Sequence, residues 1–433
     1  MKKSVFSCLQ SGYTEPIRDI LWGHIYLTPE LMALTKSGPF MRLHRIMQLG
    51  PVFYVYPGAT HTRASHSIGV YHLARRILIQ LAVRGADKWL SPGGAASFLC
   101  AALLHDLGHF PFTHSLKELP LKTHEALTAK LIRCEPLKSL IAKTGGDPYF
   151  TAAIIDPESG FSGSENHTNT ELQFYRKLLS GTLDPDKLDY MNRDARYCGV
   201  PYGAQDVDYI ISSLYPHHER GADIYEKGIT SVESVLFSKY LMYRTVYWHK
   251  QVRSATAMIK KAVLNSMEKG SLDKNELYNI DDQGLFGLIK HPLIRSVRDG
   301  KFYICAAELP FDEKDHSPLL NIRNRTEFEK NLAGMLSGAP GAKSICRIPP
   351  EKLIIDVPEP VSFDSNIFIR DEKRYFSESS STFKKEMVNT MVKSLRIVRI
   401  FIDPAFFPEQ ENSVQGKKIL SIAGEWLKRP GGR

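Results

Sequence analysis

Seven of the fifteen histidines in this chain (His61, His66, His72, His105, His109, His114 and His124) fall between residues 61 and 124, where an even spread would put about two. Neutral imidazoles joined by a carboxylate form metal sites, and Asp106 directly follows His105. A later acidic run, Asp184-Pro185-Asp186-Lys187-Leu188-Asp189-Tyr190, can bring a further carboxylate from another helix. His66 opens one helical pattern and His105-Asp106 closes the next, so the order of elements suits a site assembled from helix ends. A single histidine at a helix end is more commonly a cap or a satisfied polar residue. His61, His72, His217, His218, His291 and His316 are read that way.

Several ordered strings accompany the cluster: Gln48-Leu49-Gly50; Tyr56-Pro57-Gly58-Ala59-Thr60-His61-Thr62-Arg63-Ala64-Ser65-His66; Leu104-His105-Asp106-Leu107-Gly108-His109-Phe110-Pro111-Phe112-Thr113-His114; Thr123-His124-Glu125. Asp186-Lys187-Leu188-Asp189-Tyr190-Met191-Asn192-Arg193-Asp194, Gly199-Val200-Pro201-Tyr202-Gly203 and Tyr247-Trp248-His249-Lys250 follow. At these residues the sequence resembles the HD-domain phosphohydrolases, and within them the deoxynucleoside triphosphate triphosphohydrolases. The resemblance runs from about residue 16 to 260 and continues more loosely beyond.

The resemblance implies one divalent metal, manganese, iron or magnesium, held by His66, His105, Asp106 and Asp186. It implies that His109, His114 and His124 act on the scissile phosphate, with His114 as the acid. Arg63, Lys187 and Lys239 are expected at phosphates, Tyr190 and Asp194 near the sugar, and Gln48, Leu49 and Tyr247 where relatives test the deoxyribose. Tyr247 has an alternative reading as core, because Tyr240, Tyr243 and Tyr247 recur at helical spacing. Glu125 either holds the His124 imidazole or is an exposed first-turn residue.

Departures from the relatives' pattern carry their own expectations. Phe110 stands where the best-known members have glycine and is expected to shrink the pocket. Lys117 stands where they have an acidic residue that orients the histidine at 114; Glu118, one position on, points about 100° elsewhere on a helix. Vertebrate relatives read an activating guanine just before the Gln-Leu-Gly string, and there this chain has Lys36, Met41 and His44. An ammonium cannot accept the guanine's hydrogen bonds, so that activation site is expected to be missing.

The elements that must position these residues are mostly helical. Helices are predicted over 65–84, 95–107, 123–134, 168–180, 184–197 and 205–215, then a long broken stretch over 229–268, with almost no strand signal before about 290. Beyond His291-Pro292, strands are predicted at 301–305, 352–357, 366–369 and 397–402, with helices at 317–336 and 380–394 between them. The fold expected is mainly α. Residues 1–290 form an HD-domain helical bundle with its core at about 45–260, and residues 291–433 a smaller α+β domain whose 424–433 end is a mobile basic tail.

The composition, 43% hydrophobic and 24% charged over 433 residues, excludes a disordered or collagenous chain. Six cysteines without a CxxC pair suggest neither a disulfide framework nor a zinc knuckle. No apolar run approaches the length of a membrane span, and the protein is read as cytoplasmic. The net charge of +9 favours anionic partners. Three functions follow: a deoxynucleoside triphosphate triphosphohydrolase; a metal phosphohydrolase acting on another nucleotide or a nucleic-acid end; and a nucleic-acid-binding module with a structural metal, for which the charge is the independent support. A homo-oligomer is expected by analogy.

Overall fold

Two helices buried on most of their surface, Arg63–Val83 and the nearly all-apolar Pro92–Leu104, lie at the centre of the larger part of the chain. A helix as apolar as the second has to be buried, and the two pack against each other while Pro185–Cys198 packs on the first. Each starts with a local device: Thr62, Ser91 and Asp184 accept hydrogen bonds from the backbone N–H groups of Ser65, Gly94 and Lys187. Those caps fix where His66 and Asp186 sit, one in each first turn. His105 is the C-cap of the second helix. The computed structural model describes residues 4–161, 168–338, 348–363, 365–379, 383–406 and 414–428.

The chain after His105 turns sharply. A Cβ on Gly108 would lie 2.1 Å from the His124 carbonyl oxygen, so only glycine lets this turn meet the helix His124–Ile132. Further helices, Leu137–Lys143, Pro148–Ile155 and Asn169–Leu179, complete this layer. The predicted long stretch is broken as expected: Ile229–Met242 passes through a wide π turn at Tyr243–Tyr247 before Lys250–Glu268.

Strands do occur before residue 290. Glu15–Asp19 pairs antiparallel with Gly23–Leu27, and Leu214–His217 with Gly221–Ile224. At four or five residues each, they are too short for alternation to stand out in the sequence. Gly221–Ile224 also pairs in parallel with Phe368–Ile369, which pairs with Arg374–Tyr375. Residues from the later part of the chain, among them Phe363, Ile369 and Phe376, thereby join the helical core.

A three-stranded antiparallel sheet has Ile397–Ile402 at its centre, flanked by Ile304–Pro310 and Leu353–Asp356. The first of these starts later than the predicted 301–305. Helices Ile322–Gly338 and Val414–Lys428 bring Leu332, Leu336, Trp426 and Leu427 onto its Val398 and Ile400 side. The tail assigned to 424–433 is therefore helical to Lys428, because Trp426 and Leu427 are buried; the remainder lies outside the described residues. Among the described residues no helix is long and apolar enough to cross a membrane.

Candidate active site

One cavity of about 440 Å³ gathers most of the chemistry-bearing side chains. On one wall, His66 Nε2 lies 3.0 Å from Asp186 Oδ1, and His105 Nε2 lies 3.3 Å from Asp106 Oδ1 and 3.8 Å from Asp186 Oδ1. The two imidazoles meet nearly edge to face, at 77° and 5.4 Å between centroids. His105 Nδ1 is 3.0 Å from the Ala102 carbonyl oxygen, which can only accept, so that nitrogen carries the proton and Nε2 presents a lone pair. This Nε2 is buried with no hydrogen-bond partner. A buried lone pair beside another imidazole and two carboxylates fits a divalent cation. His66, His105 and Asp106 offer ligand atoms within 4.8 Å of one another.

A network behind His66 sets its orientation. Its Nδ1 faces Asp189 Oδ2 at 2.9 Å, and Asp189 also accepts from Trp22 Nε1 at 2.7 Å and from two nitrogens of Arg193 at 2.8 and 2.9 Å. Arg193 continues to Asp19 Oδ2 at 2.8 Å, so the turn of the Glu15–Asp19/Gly23–Leu27 hairpin reaches the metal wall. Gly69 makes the room: a Cβ there would lie 1.9 Å from Asp189 Oδ1. Burial opposes charge on Asp189, yet the Arg193 guanidinium and the His66 contact hold its carboxyl well below the usual range. Burial likewise opposes a proton on His66, but the hydrogen bonds to Asp186 and Asp189 outweigh it and push the imidazole up to about 10. A cation held at this point would take the place of that proton. Asp106 is held anionic against its burial by His109, His105 and Arg63, whose Nη1 donates to Asp106 Oδ2 at 2.7 Å.

Three clustered imidazoles adjoin Asp106 on a second wall, His109 stacking on His124 and His114 meeting the pair at steeper angles. His109 lies 4.0 Å from His124 and 4.8 Å from His114, centroid to centroid. Neither nitrogen of His109 has a hydrogen-bond partner, although Nε2 is 3.1 Å from Asp106 Oδ1. Burial and then the Arg63 charge press His109 towards neutrality. His124 Nδ1 is 3.2 Å from Glu125 Oε2, so Glu125 is the partner of an imidazole. Asp106, His109 and His124 form a second group with ligand atoms within 4.8 Å. His114 is exposed to the cavity; the protein mass around it, then the charges of Arg63 and Lys117, disfavours its protonation. The loop between His109 and His114 is held by Arg42, which donates to the His109 and Leu107 carbonyls at 2.7 and 2.6 Å. Phe112 within it has φ of 56°, a conformation that bulky residues adopt at a cost.

Gln48, Leu49, Arg63, Tyr190, Asp194 and Tyr247 all line the cavity. The Tyr247 hydroxyl donates to Asp194 Oδ2 at 2.6 Å, and His61 Nε2 contacts Asp194 Oδ1 at 2.8 Å. His61 is thus paired through Nε2 with Asp194, while its Nδ1 is buried with no hydrogen-bond partner among the described residues. Lys187 and Lys239 are not among the lining residues: Lys187 Nζ donates to Asp184 Oδ2 at 2.5 Å and Gly181 O at 2.8 Å, and Lys239 Nζ to Ser362 O at 2.6 Å. Phe110 does not shrink the pocket, because its ring is 1% exposed and packs in a core with Leu116 and Met258, near Tyr278. Glu118 does not orient His114; it is bound by Lys260 and Arg325. Lys36, Met41 and His44 are exposed.

Sequence reasoning missed Trp22, Asp189 and Arg42 as supports. It also missed Trp248, Arg253 and Glu359 as cavity lining. Asp189 lay inside a quoted motif, and its i, i+4 spacing to Arg193 was a usable signal. Trp22 and Glu359 carry none, being separated from the site by long stretches of chain.

Comparison with known proteins adds a family description. The HD domain model matches residues 63–144, and the HD associated region model matches residues 206–398. The Methanocaldococcus jannaschii protein MJ1154 is 34% identical over 277 residues, 63% of this chain and 54% of that protein. A Dictyostelium discoideum deoxynucleoside triphosphate triphosphohydrolase SAMHD1 homolog is 26% identical over 328 residues, 72% of this chain and 59% of its own length. A crystal structure of a hypothetical protein from Aquifex aeolicus superposes with a TM-score of 0.69 at 25% identity, covering 94% of this chain and 99% of that one. The chain spans about half the length of the curated relatives it matches.

Proposed function

The chain is an HD-domain protein with an HD-associated region, and on that premise we propose that it is a metal-dependent phosphohydrolase acting on deoxynucleoside triphosphates, giving deoxynucleoside and tripolyphosphate. The observation that carries this reading is the cavity itself. Two imidazoles and two carboxylates with a buried lone pair adjoin a cluster of three further imidazoles at Asp106, all on one cavity of about 440 Å³, a size that suits a nucleotide. Similarity to the triphosphohydrolases supports the substrate.

His66, His105, Asp106 and Asp186 would hold the cation. When bound, a divalent cation screens polyphosphate charge and polarises a phosphoryl oxygen. Arg63 lies at the floor, paired with Asp106, where its second nitrogen faces the Gln48 carbonyl at 3.5 Å and can turn to a phosphate. Tyr247 and Asp194 form a rigid pair for the sugar edge, held from behind by His61. Hydrolysis at the α-phosphorus needs a proton on the departing 5′-oxygen. His114 supplies it: neutral at rest, it gains a proton when about four negative charges enter the cavity.

The test is a panel of deoxynucleotides, ribonucleotides and single-stranded oligonucleotides incubated with metal-supplemented protein, with products resolved by chromatography. Deoxynucleoside with no monophosphate is the expected product. Release of orthophosphate alone, or turnover confined to oligonucleotides, contradicts the proposal.

A further inference from the structure

We propose that Lys117 is the mobile cation of the phosphate end of this cavity, binding the polyphosphate chain of the substrate in place of the tethered Lys187 and Lys239. This rests on the phosphohydrolase reading above. Lys117 is the one lysine among the described residues that line the cavity, and it has no ion-pair partner among them. The other cationic side chains of the lining are committed. Arg63 is paired with Asp106 at 2.7 Å, and Arg253 holds both oxygens of Asp356 at 2.9 and 2.6 Å.

The backbone beneath Lys117 is fixed. Ser115 N–H donates to Phe112 O at 2.8 Å, Leu116 is fully buried, and Glu118 is gripped by Lys260 and Arg325 from two separate helices. The neighbours on both sides thus point into protein while the Lys117 side chain is left exposed. Lys117 lines the same cavity as His114 and His124, on the side of the imidazole cluster, and its charge disfavours a proton on each. An anion entering between them relieves that repulsion and collects the lysine, the two imidazoles and the cation wall around one phosphate chain. A carboxylate at position 117 would orient His114; the lysine instead makes this loop an anion-binding element.

Isothermal titration calorimetry of manganese-loaded wild-type protein with inorganic tripolyphosphate, beside Lys117→Met and Lys117→Arg, tests this. The methionine variant is expected to bind about ten- to a hundredfold more weakly, and the arginine variant to recover most of the loss. Thermal unfolding should be unchanged in both, since the side chain is exposed. Wild-type binding that is equalled by Lys117→Met overturns the inference and leaves the phosphohydrolase reading standing. A wild-type protein that neither binds tripolyphosphate nor hydrolyses any phosphorylated substrate overturns both.

Discussion

The two walls of the cavity are built on opposite principles. On the metal wall, nearly every polar atom except those facing the proposed cation has a partner. His66 is set by Asp189, Asp189 by Trp22 and Arg193, and Arg193 by Asp19. On the histidine wall, His109 has two unpartnered nitrogens, His114 has no polar partner among the described residues, and Lys117 has no counter-charge. The first wall is pre-organised without ligand; the second is completed by whatever enters. That division suits a reaction in which the cation site must persist between turnovers, while the acid and the phosphate clamp engage only with substrate.

Removing a ligand from the organised wall has the largest expected effect. Asp186→Ala should lose the metal and all measurable turnover while the fold persists; metal analysis showing full occupancy would break the assignment. On the histidine wall the loss should be partial. His114→Ala should lower kcat by about a hundred- to ten-thousandfold, the range for a general acid, with a smaller change in KM, measured by steady-state kinetics. An equal loss in KM with kcat intact would make His114 a binding residue.

Smaller still is the effect of loosening the support behind His66. Trp22→Phe removes one donor to Asp189 and should weaken metal affinity about tenfold, the lower range for outer ligands, read by competition with a chelator. Unchanged affinity would mean that Arg193 alone fixes Asp189. The smallest effect expected is none: adding GTP should leave dATP hydrolysis unchanged, because Lys36, Met41 and His44 replace the guanine-reading residues and are exposed. Strong activation that vanishes on mutating any of the three would show a working site there.

The organised wall was the more legible in the sequence. His66, His105, Asp106 and Asp186 are placed by helix caps at Thr62 and Asp184 and by the end of an apolar helix, all local signals. The histidine wall was legible in its members but not its wiring: Lys117 and Glu118 are adjacent, and only tertiary contacts with Lys260 and Arg325 decide that Glu118 is paired and half-buried while Lys117 is exposed with no ion-pair partner among the described residues. The resemblance nominated Lys187 and Lys239, yet a hydrogen-bond acceptor close at hand engages each, and neither lines the cavity. Phe110 was misread because a one-residue departure says nothing about which side of the turn the ring takes. Short strands escaped notice because their alternation spans too few residues.

The most direct measurement follows the oxygen atom. Metal-loaded protein is incubated with dATP in ¹⁸O-labelled water, and the products are examined by phosphorus NMR and mass spectrometry. Attack at the α-phosphorus, as proposed, puts the label in tripolyphosphate and leaves deoxyadenosine unlabelled, with the reaction stopped by a chelator and restored by added metal. Label in orthophosphate or pyrophosphate beside a deoxynucleoside mono- or diphosphate, or turnover indifferent to the chelator, would contradict the assignment.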